Sequence, residues 1–224
     1  MKIRSDLEKS KPLCIVLNGP QSFAGRKVGA LVPDGVDATL IGALRAALEA
    51  EGAALEIIAP TVGGVQTSDG ASLKADHKFG GGPSVLFDAV AILNAADATA
   101  ALLPNAAVGD FIRDAFGHLK FIGYTEAAMP LFQKAGIADA LDEACVRLDS
   151  AKSTDDFITA CRKLRFWKRE ETVSFKIAGP MSLGFLALCG AGIFACGPAF
   201  QPVLPPGKAA AATIGRPTTR NQRD

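Results

Sequence analysis

The stretch KVGALVPDGVDATLIGALRAALEAEGAALEIIA, residues 27–59, decides how this chain folds. Residues 28–32 are a short apolar run closed by Pro33, Asp34 and Gly35, the pattern of a strand buried on both faces. Leu40, Ile41, Leu44, Ala47 and Leu48 then recur at helical spacing, and Gly52 supplies a stop. Residues 55–59 are a second apolar strand. Strand, helix and strand in so short a span make one βαβ unit, which requires a parallel sheet covered by helices.

Outward from that unit the pattern repeats. After Pro60, Asp69-Gly70 gives the backbone freedom of a tight turn between 65–67 and 72–74, which reads as a small hairpin inserted at the sheet edge. The 80–82 glycine run and Pro83 form a loop, 89–93 a third strand, and Phe111, Ile112, Ala115 and Phe116 the buried face of a helix. Residues 121–124 are a fourth strand, followed by a helix carrying Ala127, Ala128, Leu131 and Phe132. Pro130 fits that helix only in its first turn or at a kink. Residues 144–148 make a fifth strand, and Ser153-Thr154-Asp155-Asp156 is expected to cap a last helix whose face is Phe157, Ile158, Cys161 and Leu164. The expected fold is α/β: a flavodoxin-like, doubly wound, mostly parallel five-stranded sheet with a small inserted hairpin.

Upstream, residues 18–35 run from a glycine- and proline-broken arm into the first strand, as a linker enters a domain. The organisation read from these shifts is a linker-like arm over 1–26, one α/β domain over 27–170 and a tail over 171–224. Within 224 residues, 49% hydrophobic and 21% charged, there is one ordinary core. A net charge of +1 without clustered Lys and Arg gives no electrostatic footprint for nucleic acid. Cys14, Cys145, Cys161, Cys189 and Cys196 show no paired metal-ligand spacing, so a reducing, cytoplasmic setting is expected. The amino terminus is too charged for a signal peptide.

Five blocks, taken in order, carry a family likeness. NGPQSFAGRKVGALVPDG (18–35), ALRAALEAEGA (43–53), GGPSVLFDAVAIL (81–93), KFIGYTEAA (120–128) and CRKLRFWKRE (161–170) resemble the carboxy-terminal domain of large-subunit haem catalases. That domain belongs to the glutamine-amidotransferase-like, PfpI-type superfamily, so the resemblance implies the same flavodoxin-like fold. It also implies a homotetrameric catalase in which a haem barrel precedes this domain through a linker, with a Tyr iron ligand and a distal His and Asn outside the region matched here. On this resemblance the chain itself holds no cofactor, the haem lying in the absent catalase domain.

The residues agree with a domain that lacks the chemistry. Tyr124 is the one tyrosine, at a strand end with no basic pattern around it; His77 sits in a polar loop and His118 at a helix end where a cation suits the dipole. PfpI-type enzymes place a Cys on a sharp strand-to-helix elbow, where the helix amino terminus favours the thiolate. The matching elbow is Tyr124-Thr125-Glu126, which has no cysteine, and Thr125 reads better as a helix cap. The glycine-rich stretch that helps build an oxyanion hole is replaced by Asn94-Ala95-Ala96. Cys145 and Cys161 read as small core residues, Asp34 and Asp37 as turn and cap residues rather than a carboxylate pair, and Gly63-Gly64 and the 80–82 run as turns rather than phosphate loops. No catalytic, cofactor-binding or metal residue is assigned.

From Glu171 the resemblance stops. Residues 177–207 hold no charge until Lys208 follows, and 181–200 approach the length of a membrane span. Pro180, Pro198 and several glycines argue against an anchor, and Lys168, Arg169 and Lys176 are balanced by Lys208, Arg216, Arg220 and Arg223, so no orientation is set. A disordered or out-of-frame tail is the favoured reading. The expected function is a noncatalytic accessory domain of a large haem catalase, binding haem-domain subunits or itself and exposing an apolar patch where the partner sits. The alternative is a stand-alone PfpI-type hydrolase or oxidative-stress protein.

Overall fold

The computed structural model describes residues 10–177. The apolar stretch 177–207, apart from its first residue, and with it Cys189, Cys196 and the rest of the tail, lies outside the described residues. Within them the order is β1 (Lys27–Leu31), α1 (Ala38–Ala50), β2 (Ala54–Ala59), β3 (Val65–Gln66), β4 (Ser72–Leu73), β5 (His77–Lys78) and β6 (Ala89–Ile92). There follow α2 (Thr99–Leu102), α3 (Ala106–Gly117), β7 (Ile122–Tyr124), α4 (Met129–Ala135), β8 (Cys145–Arg147), α5 (Ala151–Cys161) and α6 (Arg169–Ile177).

The βαβ unit forms as its sequence dictates. Asp37 caps α1, its carboxylate accepting from the amides of Thr39 at 2.8 Å and Leu40 at 3.3 Å. Gly52 ends the helix turn at φ +74°, a conformation that costs other residues more. β1 then pairs in parallel with β2 on one side and with β6 on the other. The sheet has six strands, all parallel, in the order β5-β2-β1-β6-β7-β8.

The count corrects the expected five. β5 is the added strand, only two residues long, and it lies in the stretch read as a polar loop. Asp76 makes it possible: its carboxylate accepts from the Ile57 amide at 2.8 Å, and its own amide donates to Ile57 O at 2.9 Å. Phe79 N then donates to Ala59 O at 2.8 Å, closing the register on the edge of β2. The hairpin β3–β4 forms with Gly70 in its turn at φ +81°, but it makes a separate two-stranded sheet. It is laced to the turn after β1 instead, where Asp34 accepts from Gln66 N at 2.9 Å and Gly35 N donates to Gln66 O at 2.8 Å.

Helices cover both faces, giving the doubly wound flavodoxin-like architecture. On one face Ile41, Leu44 and Leu48 of α1 meet Phe157, Ile158 and Cys161 of α5 over Val28, Ala30 and Val32. On the other, Phe111 and Ile112 of α3 and Leu131 and Phe132 of α4 pack on Leu31, Val90 and Ile92. Gly29 is required there because the Phe87 ring occupies the space its side chain would take. Pro130 lies in the first turn of α4 and costs no helix bond.

Two boundaries differ from expectation. The cap of α5 is Ser150, whose Oγ accepts from Ser153 N at 3.2 Å while Ser153 Oγ accepts from Ser150 N at 3.0 Å, a reciprocal pair. The helix stops at Cys161, so Leu164 reaches the core from a residue with φ +61° rather than from the helix face. Upstream, the chain is anchored from Phe23, which is fully buried and donates its amide to Glu51 Oε1 at 3.2 Å. Glu51 also receives Arg162 through two bonds of 2.9 and 2.7 Å. Among the described residues no helix is long and apolar enough to cross a membrane.

Candidate functional site

A doubly wound sheet usually takes its ligand outside the carboxyl ends of the strands, where strand order reverses. Here that point lies between β1 and β6, with β7 and its elbow next to them. The loops after β1 and β6 approach closely: a methyl group on Gly35 would stand 3.8 Å from Ala95 Cβ. The hairpin is tied to Asp34 and Gly35 beside the reversal.

The elbow itself is built as a brace. Thr125 has an extended backbone, φ −87° and ψ 155°, rather than the strained turn that exposes a nucleophile. It sits at the cap position of the turn 126–128 but makes no capping bond; the hydroxyl donates to Asn94 O at 2.8 Å. This corrects the capping role expected for it. Its amide donates to Ile92 O at 3.1 Å. Asn94, buried at the end of β6, donates from Nδ2 to Thr99 Oγ1 and to Ala127 O, each at 2.7 Å. Among the described residues its buried Oδ1 has no partner, a cost the brace carries. Where an oxyanion hole would need free donors, the Asn94 side chain joins the loop after β6 to the turn after β7.

The charges beside the elbow are paired on the surface. Arg147 of β8 reaches Glu126 at 3.2 Å and Asp149 at 3.0 Å, bonds that raise the arginine's pKa and lower that of Asp149. Among the described residues no histidine or cysteine hydrogen-bonds to Thr125. His77, placed in β5 rather than a loop, is bonded to Glu56 at 2.9 Å and packs edge-on against Phe87. Glu56 also holds Lys27 at 2.5 Å, and the bonds from Lys27 and then His77 keep its carboxyl below the usual range. His118 closes α3 with Nδ1 2.7 Å from Asp114 O.

Tyr124 packs its ring edge-on against Phe132, and burial raises its hydroxyl pKa. Tyr124, His77 and His118 stand on β7, β5 and the end of α3 and do not converge on one ligand. The turn at 80–82 borders a cleft of about 170 Å³ with Leu31, Ile58 and Phe111, below the roughly 300–1,000 Å³ of ordinary ligand pockets. These residues do not fit a haem. Cys161 is buried in the core and burial pushes its thiol well up. Cys145 is half-buried on β8, with its thiol pushed up to about 11 by burial, so neither is a ready thiolate. Among the described residues no cluster of ligands could hold a metal ion.

One charge counted in the sequence among the flanks of the apolar segment belongs to the core. Arg169 is 1% exposed. It grips Asp142 with two bonds of 2.7 Å, donates to Lys120 O at 2.7 Å and lies 4.2 Å above the Phe116 ring. Beneath it Lys120, 2% exposed, donates to Phe87 O at 2.6 Å and to Ser84 O. Burial lowers the Lys120 pKa to about 8. An Arg and a Lys beside aromatic residues gave no pattern distinguishing them from solvated charges.

Comparison with known proteins agrees with this fold. The family described as the C-terminal domain found in long catalases matches residues 24–171. Catalase C of Rhizobium meliloti (strain 1021) is 49% identical over 173 residues, covering 77% of this chain and 24% of that protein. Catalase HPII of Mycobacterium avium is 30% identical, covering 71% and 25%. Among solved structures, a ThiJ/PfpI domain protein from Brachyspira murdochii superposes with a TM-score of 0.53 at 13% identity, over 62% of this chain and 95% of that one. Oxidized DJ-1 of Toxoplasma gondii gives 0.52 at 14%, over 69% and 98%. At such identities the structures speak for the fold alone. The chain spans about a quarter of the length of the curated catalases it matches.

Proposed function

The chain belongs to the family of C-terminal domains found in long catalases, and we propose that it is the noncatalytic accessory domain of such an enzyme. It packs against the haem-bearing part, which binds the haem and disproportionates peroxide, and it performs no turnover of its own. The observation that carries this reading is the elbow. Thr125 has its hydroxyl committed to Asn94 O and an unstrained backbone, and the group that could have formed an oxyanion hole is a bracing Asn94 side chain. On the same reading the chain shares the compartment of the catalase it serves, expected to be the cytoplasm.

The test exchanges this chain for the matching region of Rhizobium meliloti Catalase C. The exchanged enzyme is expected to carry haem and to keep its peroxide turnover within about twofold of the parent, a change under 0.5 kcal/mol in barrier. The purified chain alone should show no Soret band and no turnover. A Soret band with peroxide turnover from this chain alone would overturn the reading, and so would covalent labelling of Thr125 by a hydroxyl-directed activity probe.

A further inference from the structure

The first described stretch of the chain is ordered and apolar at the same time. Leu13, Ile15, Val16 and Leu17 are 81%, 64%, 57% and 66% exposed. They are nevertheless held by a local network: Asn18 Nδ2 donates to Lys11 O at 2.7 Å, to Cys14 O at 3.0 Å and to Pro12 O at 3.2 Å, while Asn18 N donates to Cys14 O at 2.9 Å. A solvated linker would carry polar side chains where this turn presents four aliphatic ones. Beside it run two shallow grooves of about 320 and 250 Å³ that share Ile15, Pro20, Lys163, Arg165 and Trp167. Their charged lining is mostly cationic. Among the described lining residues, Lys163, Arg165 and Lys168 face one carboxylate, Glu143, which lies 3.7 Å from Lys168.

The chain's place in its family says what covers this surface. The matched family is a C-terminal domain, and about three quarters of each relative's length lies outside the match. That remainder precedes the domain, so it approaches through residues ahead of Phe23, the first fully buried side chain. The apolar turn stands on that approach. We propose that residues 12–20, with 163–168, form the docking surface for the catalytic part of a long catalase, which presents an apolar ridge edged by Asp and Glu carboxylates. The inference rests on the accessory-domain reading and adds the location and chemistry of the contact.

Hydroxyl-radical footprinting of the isolated chain and of the exchanged Catalase C tests it. Oxidation of Leu13, Ile15, Val16 and Leu17 should fall severalfold in the full-length enzyme, while Val62, 73% exposed in the turn after β2, should not change. The double variant V16D/L17D should lower the midpoint for thermal loss of the Soret band in that enzyme and leave the melting of the isolated chain unchanged. Equal oxidation in both proteins, with haem and turnover intact, would overturn the docking surface and leave the accessory reading standing. Failure of the exchanged protein to assemble haem, where the parent does, would remove both. Concentration-dependent protection of these residues in the isolated chain would assign the surface to a second copy instead and so overturn it.

Discussion

At the amino-terminal edge of the sheet, Arg169, Asp142 and Lys120 set ionic groups among backbone carbonyls and aromatic rings; at the carboxyl edge, Asn94, Thr99 and Thr125 are joined by neutral hydrogen bonds alone. Buried charge persists only where nearly every donor and acceptor is met. The domain therefore keeps it where the end of the α/β fold is fastened down. At the edge that would take a ligand, the elbow is braced by short, uncharged side chains, and the charges beside it, Arg147 with Glu126 and Asp149, are paired on the surface. The costly ionic groups lie at the amino-terminal edge, and at the other edge the Thr125 hydroxyl is committed to a brace.

The largest break in that comparison is expected at Arg169. Arg169→Ala leaves Asp142 without its bidentate partner and Lys120 O without a donor, which should cost about 3–5 kcal/mol and lower the melting temperature by roughly 10 °C. Arg169→Lys should recover only part of this, since an ammonium cannot form the paired contact. A calorimetric melt checks both, and an unchanged melting temperature for Arg169→Ala would show the knot to be incidental.

Next comes Lys120, whose folded pKa of about 8 lies below the 10.5 of an exposed lysine. Between those values the unfolded chain binds the extra proton, so stability rises with pH across the window, by roughly 3 kcal/mol from this group. Below about pH 8 both states hold the proton and the group adds no slope. Arg165 pushes the value down while Asp88 and Asp114 push it up, so burial remains the main cause. Urea unfolding from pH 7.5 to about 10.5 should show this as a difference, the parent chain gaining stability relative to Lys120→Met as pH rises, since the buried Cys145 and Cys161 thiols lower stability alike in both above about pH 9. A parallel dependence in both would sink this assignment.

At the carboxyl edge the effects are smaller. Asn94→Ala should cost about 1–3 kcal/mol by freeing Ala127 O and Thr99, and Thr125→Val about 1 kcal/mol by removing one neutral bond. Urea midpoints measure both. Neither variant should alter peroxide turnover in the exchanged catalase, and a loss of turnover without loss of stability in Thr125→Val would erase the difference between the two edges.

Much of the fold was legible because its signals are local. The run 28–32, the Asp37 cap and the Gly52 stop each act within a few residues, and the observed β1, α1 and β2 follow them. β5 was not legible because two polar residues, His77 and Lys78, carry no period, and what makes them a strand is Asp76 meeting the Ile57 amide across the chain. The Ser150 cap is obscured in the sequence by the richer polar cluster at 153–156, although Ser150 and Ser153 form the reciprocal pair. At the elbow, the missing cysteine and glycines were visible in Thr125 and Asn94. Their mutual bracing was not, since it joins residues separated by 31 positions.

Sequence alone determined the parallel α/β layering, the helix caps at Asp37 and the family blocks, because periodicity, short-range hydrogen bonding and motif order are properties of neighbouring residues. Only the tertiary structure decided that Arg169 is a core residue and not a flank of the tail, that Thr125 braces where it could have capped, and that Leu13 to Leu17 stand ordered and uncovered. The physical reason is common to all three: the cost or benefit of a polar or apolar group depends on what surrounds it, and for Arg169 the surrounding carboxylate is 27 residues away.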